Sequence, residues 1–212
     1  MKKELERSGL TKKEVNILLS MSNPNSKDNP WDYRAIRVMN ELILALLLVL
    51  GLRVEEILTL QTKNINTTSE KPFIRIISRF STRDVPIPNQ LFRMLSNYLN
   101  EVRNRFPSGE KNDCLFVSES GRPLSRKYFN KIFADLMDRV PGLWITACRC
   151  RLFAVTTCFE RALQQRDMNY SKLVELIQPR PSQMLSHYLM SFSSQFVSDK
   201  VIPEAENRGG DE

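Results

Sequence analysis

The 212-residue chain has one histidine and four cysteines, and its longest unbroken apolar run, Leu42–Leu50, is nine residues. Each scarcity closes off a class of function. Nine residues is about half of the ~20 that a membrane-spanning helix needs, and no charged-then-apolar leader opens the chain. The expectation is a soluble, intracellular protein with no membrane partner. The cysteines do not make a metal centre by spacing: Cys148-x-Cys150 lacks a second ligand pair, and Cys114 and Cys158 lie apart from it. Buried thiols in a reducing compartment are expected, with no metal and no other cofactor.

What is present in excess is positive charge. Lys and Arg number 31 against 24 Asp and Glu, a net charge of +7. The last fourteen residues, Asp199 to Glu212, hold five acidic and two basic side chains, which leaves +10 on residues 1–198. A basic body with an acidic tail suits a polyanion partner, although a merely soluble basic protein shows the same balance. At this length one domain with a substantial core is expected.

Local patterns predict a mainly helical chain with a small antiparallel sheet. Thr11-Lys12-Lys13-Glu14 reads as a capping box that starts a helix. Ser22 to Pro30 reads as a loop, and Pro30 as the start of a long helix that Gly51 ends. Phe73 to Arg79 and Arg83 to Ile87 alternate apolar and polar residues, predicting a two-stranded ribbon that turns at Phe80-Ser81-Thr82. Asn89 is placed to cap a helix running to about Phe106, and Leu115-Phe116-Val117 reads as a short strand. Ser125 is placed to cap a helix carrying Tyr128, Phe129, Ile132, Phe133, Leu136 and Met137, with Arg126 and Lys127 in its first turn. Cations are disfavoured there by the helix dipole, so a phosphate partner is one explanation for them and solvated charge the other. A last helix is expected from Arg151 to about Leu163, with Cys158 on its apolar side.

Three segments stand out. Gly51-Leu52-Arg53-Val54-Glu55-Glu56 puts an acid three residues after an arginine, one helical turn on. Ile145-Thr146-Ala147-Cys148-Arg149-Cys150-Arg151-Leu152-Phe153-Ala154 carries an arginine into a helix. Tyr188 follows Leu176 by twelve residues. Together they resemble the catalytic domain of the tyrosine recombinase (phage integrase) family, over about residues 10–190. The resemblance implies a mainly α fold with a small antiparallel β-sheet (α+β). It divides the chain into a lead-in (1–10), a catalytic-domain-like body (11–192) and a C-terminal segment with an acidic tail (193–212), without the family's N-terminal DNA-clamping domain.

The resemblance also implies roles. Arg53 and Arg151 would grip the nonbridging oxygens of a DNA phosphate, Glu56 would brace the site, and Tyr188 would attack phosphorus to leave a phosphotyrosyl link. Several of the family's proton-handling places hold other residues. Cys148 stands where a histidine is usual, Leu152 just after the arginine where another often occurs, and Pro179 where a histidine or tryptophan is usual. His187, the single histidine, adjoins Tyr188 and replaces neither. No lysine lies between Lys71 and Lys111, so Arg79 is nearest to the place of the family's lysine, and an arginine with pKa above about 12 is a poor proton donor. Cys148 is read as a loop thiol packed under the helix or, less simply, as a base activated by the arginines. Arg79, Arg83, Arg126, Lys127 and Arg180 are candidate DNA contacts, with exposed solvated arginine the plain alternative for Arg79 and Arg180. Tyr188 in an apolar run also suits a packing residue.

Two functions from different classes follow: a DNA-binding protein of the recombinase and integrase type with weak or lost strand cleavage, or an active breaking-and-rejoining enzyme using Tyr188. A protein-interaction module on the same fold is a third. The expected partners are double-stranded DNA and, because family members pass a C-terminal segment to the next protomer, a second copy or a recombinase-like protein on DNA.

Overall fold

The computed structural model describes residues 9–67, 71–77, 82–107 and 113–164. Helix α1 (Lys12–Ser22) begins as the sequence predicts: the Thr11 hydroxyl accepts the Glu14 amide at 3.2 Å, and Glu14 Oε2 accepts the Thr11 amide at 2.7 Å. Val15, Leu18 and Met21 form its buried face. The next helix, α2 (Arg34–Val49), starts four residues later than predicted. Trp31 is the reason. Its ring is buried, its indole N–H donates to Asp135 Oδ2 at 3.0 Å, and its backbone carbonyl accepts from Arg37 Nε, which together hold 30–33 off the helical path. Asn29 turns the chain ahead of it, accepting the Trp31 amide at 3.0 Å.

Every residue from Leu42 to Leu48 is buried, so α2 is the central helix of the core. It stops at Gly51, whose φ of +60° is costly for any residue with a Cβ. Helix α3 (Val54–Leu58) follows at once, and a 3₁₀ turn (Thr62–Asn64) leads to the sheet. That sheet has three antiparallel strands, β1 (Ile65–Asn66), β2 (Phe73–Ile77) and β3 (Thr82–Pro86), in sequence order. The predicted ribbon is β2 with β3; β1, only two residues long, gives no periodic signal. Ile74, Ile76, Arg83 and Val85 take the inner face.

Asn89 is the first residue of α4 (Asn89–Asn97) rather than its cap, which is Pro88. The predicted single helix to Phe106 changes type instead, through a π turn (Tyr98–Val102) and a 3₁₀ turn (Arg103–Arg105). Buried Tyr98 donates its hydroxyl to the Leu115 carbonyl at 3.0 Å, and Arg103 Nη2 donates to the Cys114 carbonyl at 3.0 Å. These bonds hold 114–117, which makes isolated bridges, Gln61 to Cys114 and Val117 to Pro123, instead of the predicted strand. Helix α5 (Arg126–Arg139) buries four of the six predicted apolar residues, Phe129, Ile132, Phe133 and Leu136, and leaves Tyr128 and Met137 half-buried; Ser125 at its N-cap makes no side-chain capping bond. Helix α6 (Ala147–Gln164) packs on α2 and starts four residues before Arg151. None of the helices among the described residues is long and apolar enough to cross a membrane.

Candidate functional site

The site forms where the end of α2, the start of α3, strand β3 and the first turns of α6 meet. Its centre is Glu56, 6% exposed, in the first turn of α3. An acid is favoured there by the unpaired amides of the helix start. Glu56 Oε2 accepts the backbone N–H of Arg53 at 2.8 Å, and Oε1 lies 3.4 Å from Arg53 Nη1. From β3, Arg83 donates Nη1 to Oε1 at 2.8 Å and Nη2 to Oε2 at 3.0 Å. Burial pushes the Glu56 carboxyl up. The hydrogen bonds from Arg83 and the Arg53 backbone, with the charges of Arg83 and Arg151, outweigh it and hold the group below its ordinary value. The site therefore contains a fixed carboxylate among three guanidinium groups.

Arg151 enters from α6, buried, and donates through Nη1 to the carbonyl of Gly51. The two arginine segments therefore touch at Gly51, since a Cβ at that position would stand 3.2 Å from the Ala154 Cβ. Arg53, Glu56 and Arg151, singled out from sequence, are brought together.

Other expected residues are placed differently. Arg83 is not on the surface: its side chain is 4% exposed and is an internal partner of Glu56. It occupies the inward register opposite Ile76 and alternates with buried Val85, a period-two signal legible in the sequence. Cys148 is not a packed loop thiol; it is exposed in the first turn of α6, because that helix begins earlier than predicted. Cys150 is the buried one, its thiol pushed up to about 12 by burial. Leu152 is buried and apolar. Arg126 is exposed and paired with Glu55, and Lys127 is exposed beside it. Arg79, Pro179, Arg180, His187 and Tyr188 lie outside the described residues.

The sequence reading passed over Arg149. It is 1% exposed, and its guanidinium reaches both oxygens of Glu14 at 3.1 Å, the Gly9 carbonyl at 3.0 Å and the Trp144 carbonyl. A separation of 135 residues from Glu14 leaves no sequence signal for that pair. A hollow of about 680 Å³ bounded by Trp31, Tyr33, Glu119, Lys131 and Asp138 shares no residue with the arginine cluster. For a ligand as large as a nucleic-acid duplex, a charged face matters more than a hollow.

Chemically, the cluster is suited to an anion with oxygens in a plane or tetrahedron, because paired guanidinium groups present donors in a fork. Residues 9–144 match the phage integrase family, a span that holds Arg53, Glu56 and Arg83 and stops short of Arg151. Tyrosine recombinase XerD of Halalkalibacterium halodurans is 31% identical over 132 residues, covering 62% of this chain and 41% of that protein. XerD of Oceanobacillus iheyensis is 31% identical over 103 residues, or 48% of this chain and 34% of that protein. The chain thus spans well under half the length of these relatives. Among solved structures, the XerH site-specific recombinase bound to palindromic difH substrate in a post-cleavage complex has a TM-score of 0.71 at 20% identity, over 93% of this chain and 54% of that one. XerA recombinase has a TM-score of 0.68 at 15% identity, over 92% and 65%. With its central helix, three-stranded sheet and first arginine motif all in the matched span, the chain belongs to the phage integrase family.

Proposed function

We propose that this domain binds duplex DNA through the Arg53 and Arg151 cluster and serves site-specific recombination or integration, with strand cleavage slowed or lost. The observation that carries the reading is the arrangement around Glu56: the cations that would hold a phosphate converge, while nearby positions that would move protons hold Leu152, buried, and Cys148, exposed on α6. Losing one acid–base group costs roughly 10²–10⁴ in rate. Arg79, Arg126, Lys127 and Arg180 extend the basic contact, with Arg126 exchanging its Glu55 partner for phosphate. The body over 11–192 acts as the DNA-binding unit, in more than one copy on its target, with 193–212 as an acidic tail and no cofactor.

The test uses a nicked suicide duplex, in which a cleaved strand cannot be rejoined. The expected result is salt-sensitive binding, falling steeply as counterion release is suppressed, and a trace of denaturant-resistant adduct that disappears in Tyr188→Phe. Binding indifferent to salt would overturn the DNA reading. Rapid, complete adduct formation would instead establish an active recombinase, the second reading, which the converging arginines favour. An adduct that persists in Tyr188→Phe would remove Tyr188 as nucleophile.

A further inference from the structure

Arg83 takes no part in the scheme above, yet it holds the Glu56 carboxylate more closely than the Arg53 side chain does. It engages both oxygens of Glu56, at 2.8 and 3.0 Å, with the two side chains 4% and 5% exposed. Arg53, only three residues from Glu56 in sequence, reaches the same carboxylate with its head group only at 3.4 Å, and its side chain is 21% exposed. A carboxylate offers about four lone-pair sites. Here two go to Arg83 and one to the Arg53 backbone amide.

We propose that Arg83 is a positioning residue: by occupying both oxygens of Glu56 it keeps that buried charge from drawing the Arg53 and Arg151 head groups inward, so that they face a phosphate. The inference rests on the DNA-binding reading above. In a poorly screened interior an ionised carboxylate short of partners recruits the nearest cation. Arg53 Nη1 already stands at the outer limit of a hydrogen bond to it, and the Arg151 charge acts on it. Taking Arg83 away would therefore turn a phosphate-facing cation into an internal one, without any contact between residue 83 and DNA. Arg83 cannot make that contact itself while both terminal nitrogens are held by Glu56 in a buried position.

The experiment compares the unaltered protein with Arg83→Met, Arg83→Lys and the pair Glu56→Gln/Arg83→Met. Each is measured for thermal unfolding and for duplex affinity across a range of salt. Arg83→Met should bind roughly tenfold more weakly at fixed salt, with a slope of log affinity against log salt shallower by about 0.9, the share of one phosphate. Arg83→Lys, which retains a charge for Glu56, should fall between. The pair should regain the original slope, because an uncharged amide does not draw Arg53 inward. A pair that keeps the shallow slope would show that Arg83 touches phosphate itself, and a folded Arg83→Met with the original slope would reduce it to a packing residue; either overturns the proposal. If Arg83→Met does not fold, the pair, which leaves no ion buried without its partner, decides by the same slope. Unaltered protein that fails to bind DNA at any salt would remove the DNA reading and this inference together, a different outcome from binding that all four proteins share.

Discussion

Arg53 and Arg151 bear the same charge in unlike settings. About a fifth of the Arg53 side chain meets solvent, whereas Arg151 is buried against the Gly51 carbonyl. Arg53→Ala should weaken DNA binding at a smaller cost in stability than Arg151→Ala, because its head group meets Glu56 only at 3.4 Å. Arg151→Ala should weaken binding and also cost about 1–3 kcal/mol, because a buried carbonyl loses a charged donor. Equal melting temperatures for the two variants would refute the distinction. Sequence could supply Arg53 and Glu56 because three residues on a helix start define their geometry. It could not supply the Arg83 pairing, which depends on strand register across 27 residues. Glu41 is a second residue whose behaviour only the fold reveals: burial raises its pKa to about 7. The folded state then holds this proton more tightly than the unfolded chain does, so its contribution to stability is complete below about 4.5 and lost as pH rises through 7. Glu41→Gln should remove that loss, stabilising the protein above pH 7 by about 1 kcal/mol once the group's partial exposure is allowed for. Thermal unfolding across the window checks it.

Among the elements, α1 is tied to a distant helix through its first turn. Glu14 closes its capping box and also meets Arg149 of α6 with both oxygens. Burial pushes the Glu14 carboxyl up, but the Thr11 backbone bond and the Arg149 contacts bring it below its ordinary value. Its contribution is thus present above about 4.5 and lost as pH falls through its lowered value. Glu14→Gln should destabilise the domain by about 1–3 kcal/mol and speed hydrogen exchange across 12–22 more than across α2. Unchanged exchange in α1 would show that its apolar face alone holds it. The capping box was legible because all of its bonds are local. The start of α2 was not, since Trp31 leaves the helix for a partner over a hundred residues away, at Asp135. Likewise, the break after Asn97 follows from bonds that Tyr98 and Arg103 make to 114–115, and no propensity within 89–106 announces it.

At the scale of the whole molecule, net charge governs encounter with a polyanion. Deleting 199–212 raises the chain from +7 to +10. Duplex affinity should then rise several-fold, roughly, at low salt, and the gain should vanish as the Debye length shrinks. An unaltered affinity at low salt would show that the acidic tail lies too far from the basic body to act on it. Charge asymmetry was visible in the sequence from the outset, and so was the α+β class. How the arginine segments meet was not, because 100 residues separate Gly51 from Arg151.

That meeting point constrains how the protein can change over evolutionary time. With Gly51 at φ +60° and only 3.2 Å between its notional Cβ and Ala154, any side chain at 51 strains the backbone and presses on α6. Gly51→Ala should therefore cost about 1–2 kcal/mol from backbone conformation alone and weaken DNA binding through Arg151, a residue it leaves chemically intact. Ala154→Gly would relieve the crowding but not the dihedral strain, so the double variant should recover binding before it recovers stability. The two arginine motifs are in this sense epistatic: their tolerated substitutions are set jointly at one glycine, and drift in either is licensed or forbidden by the other.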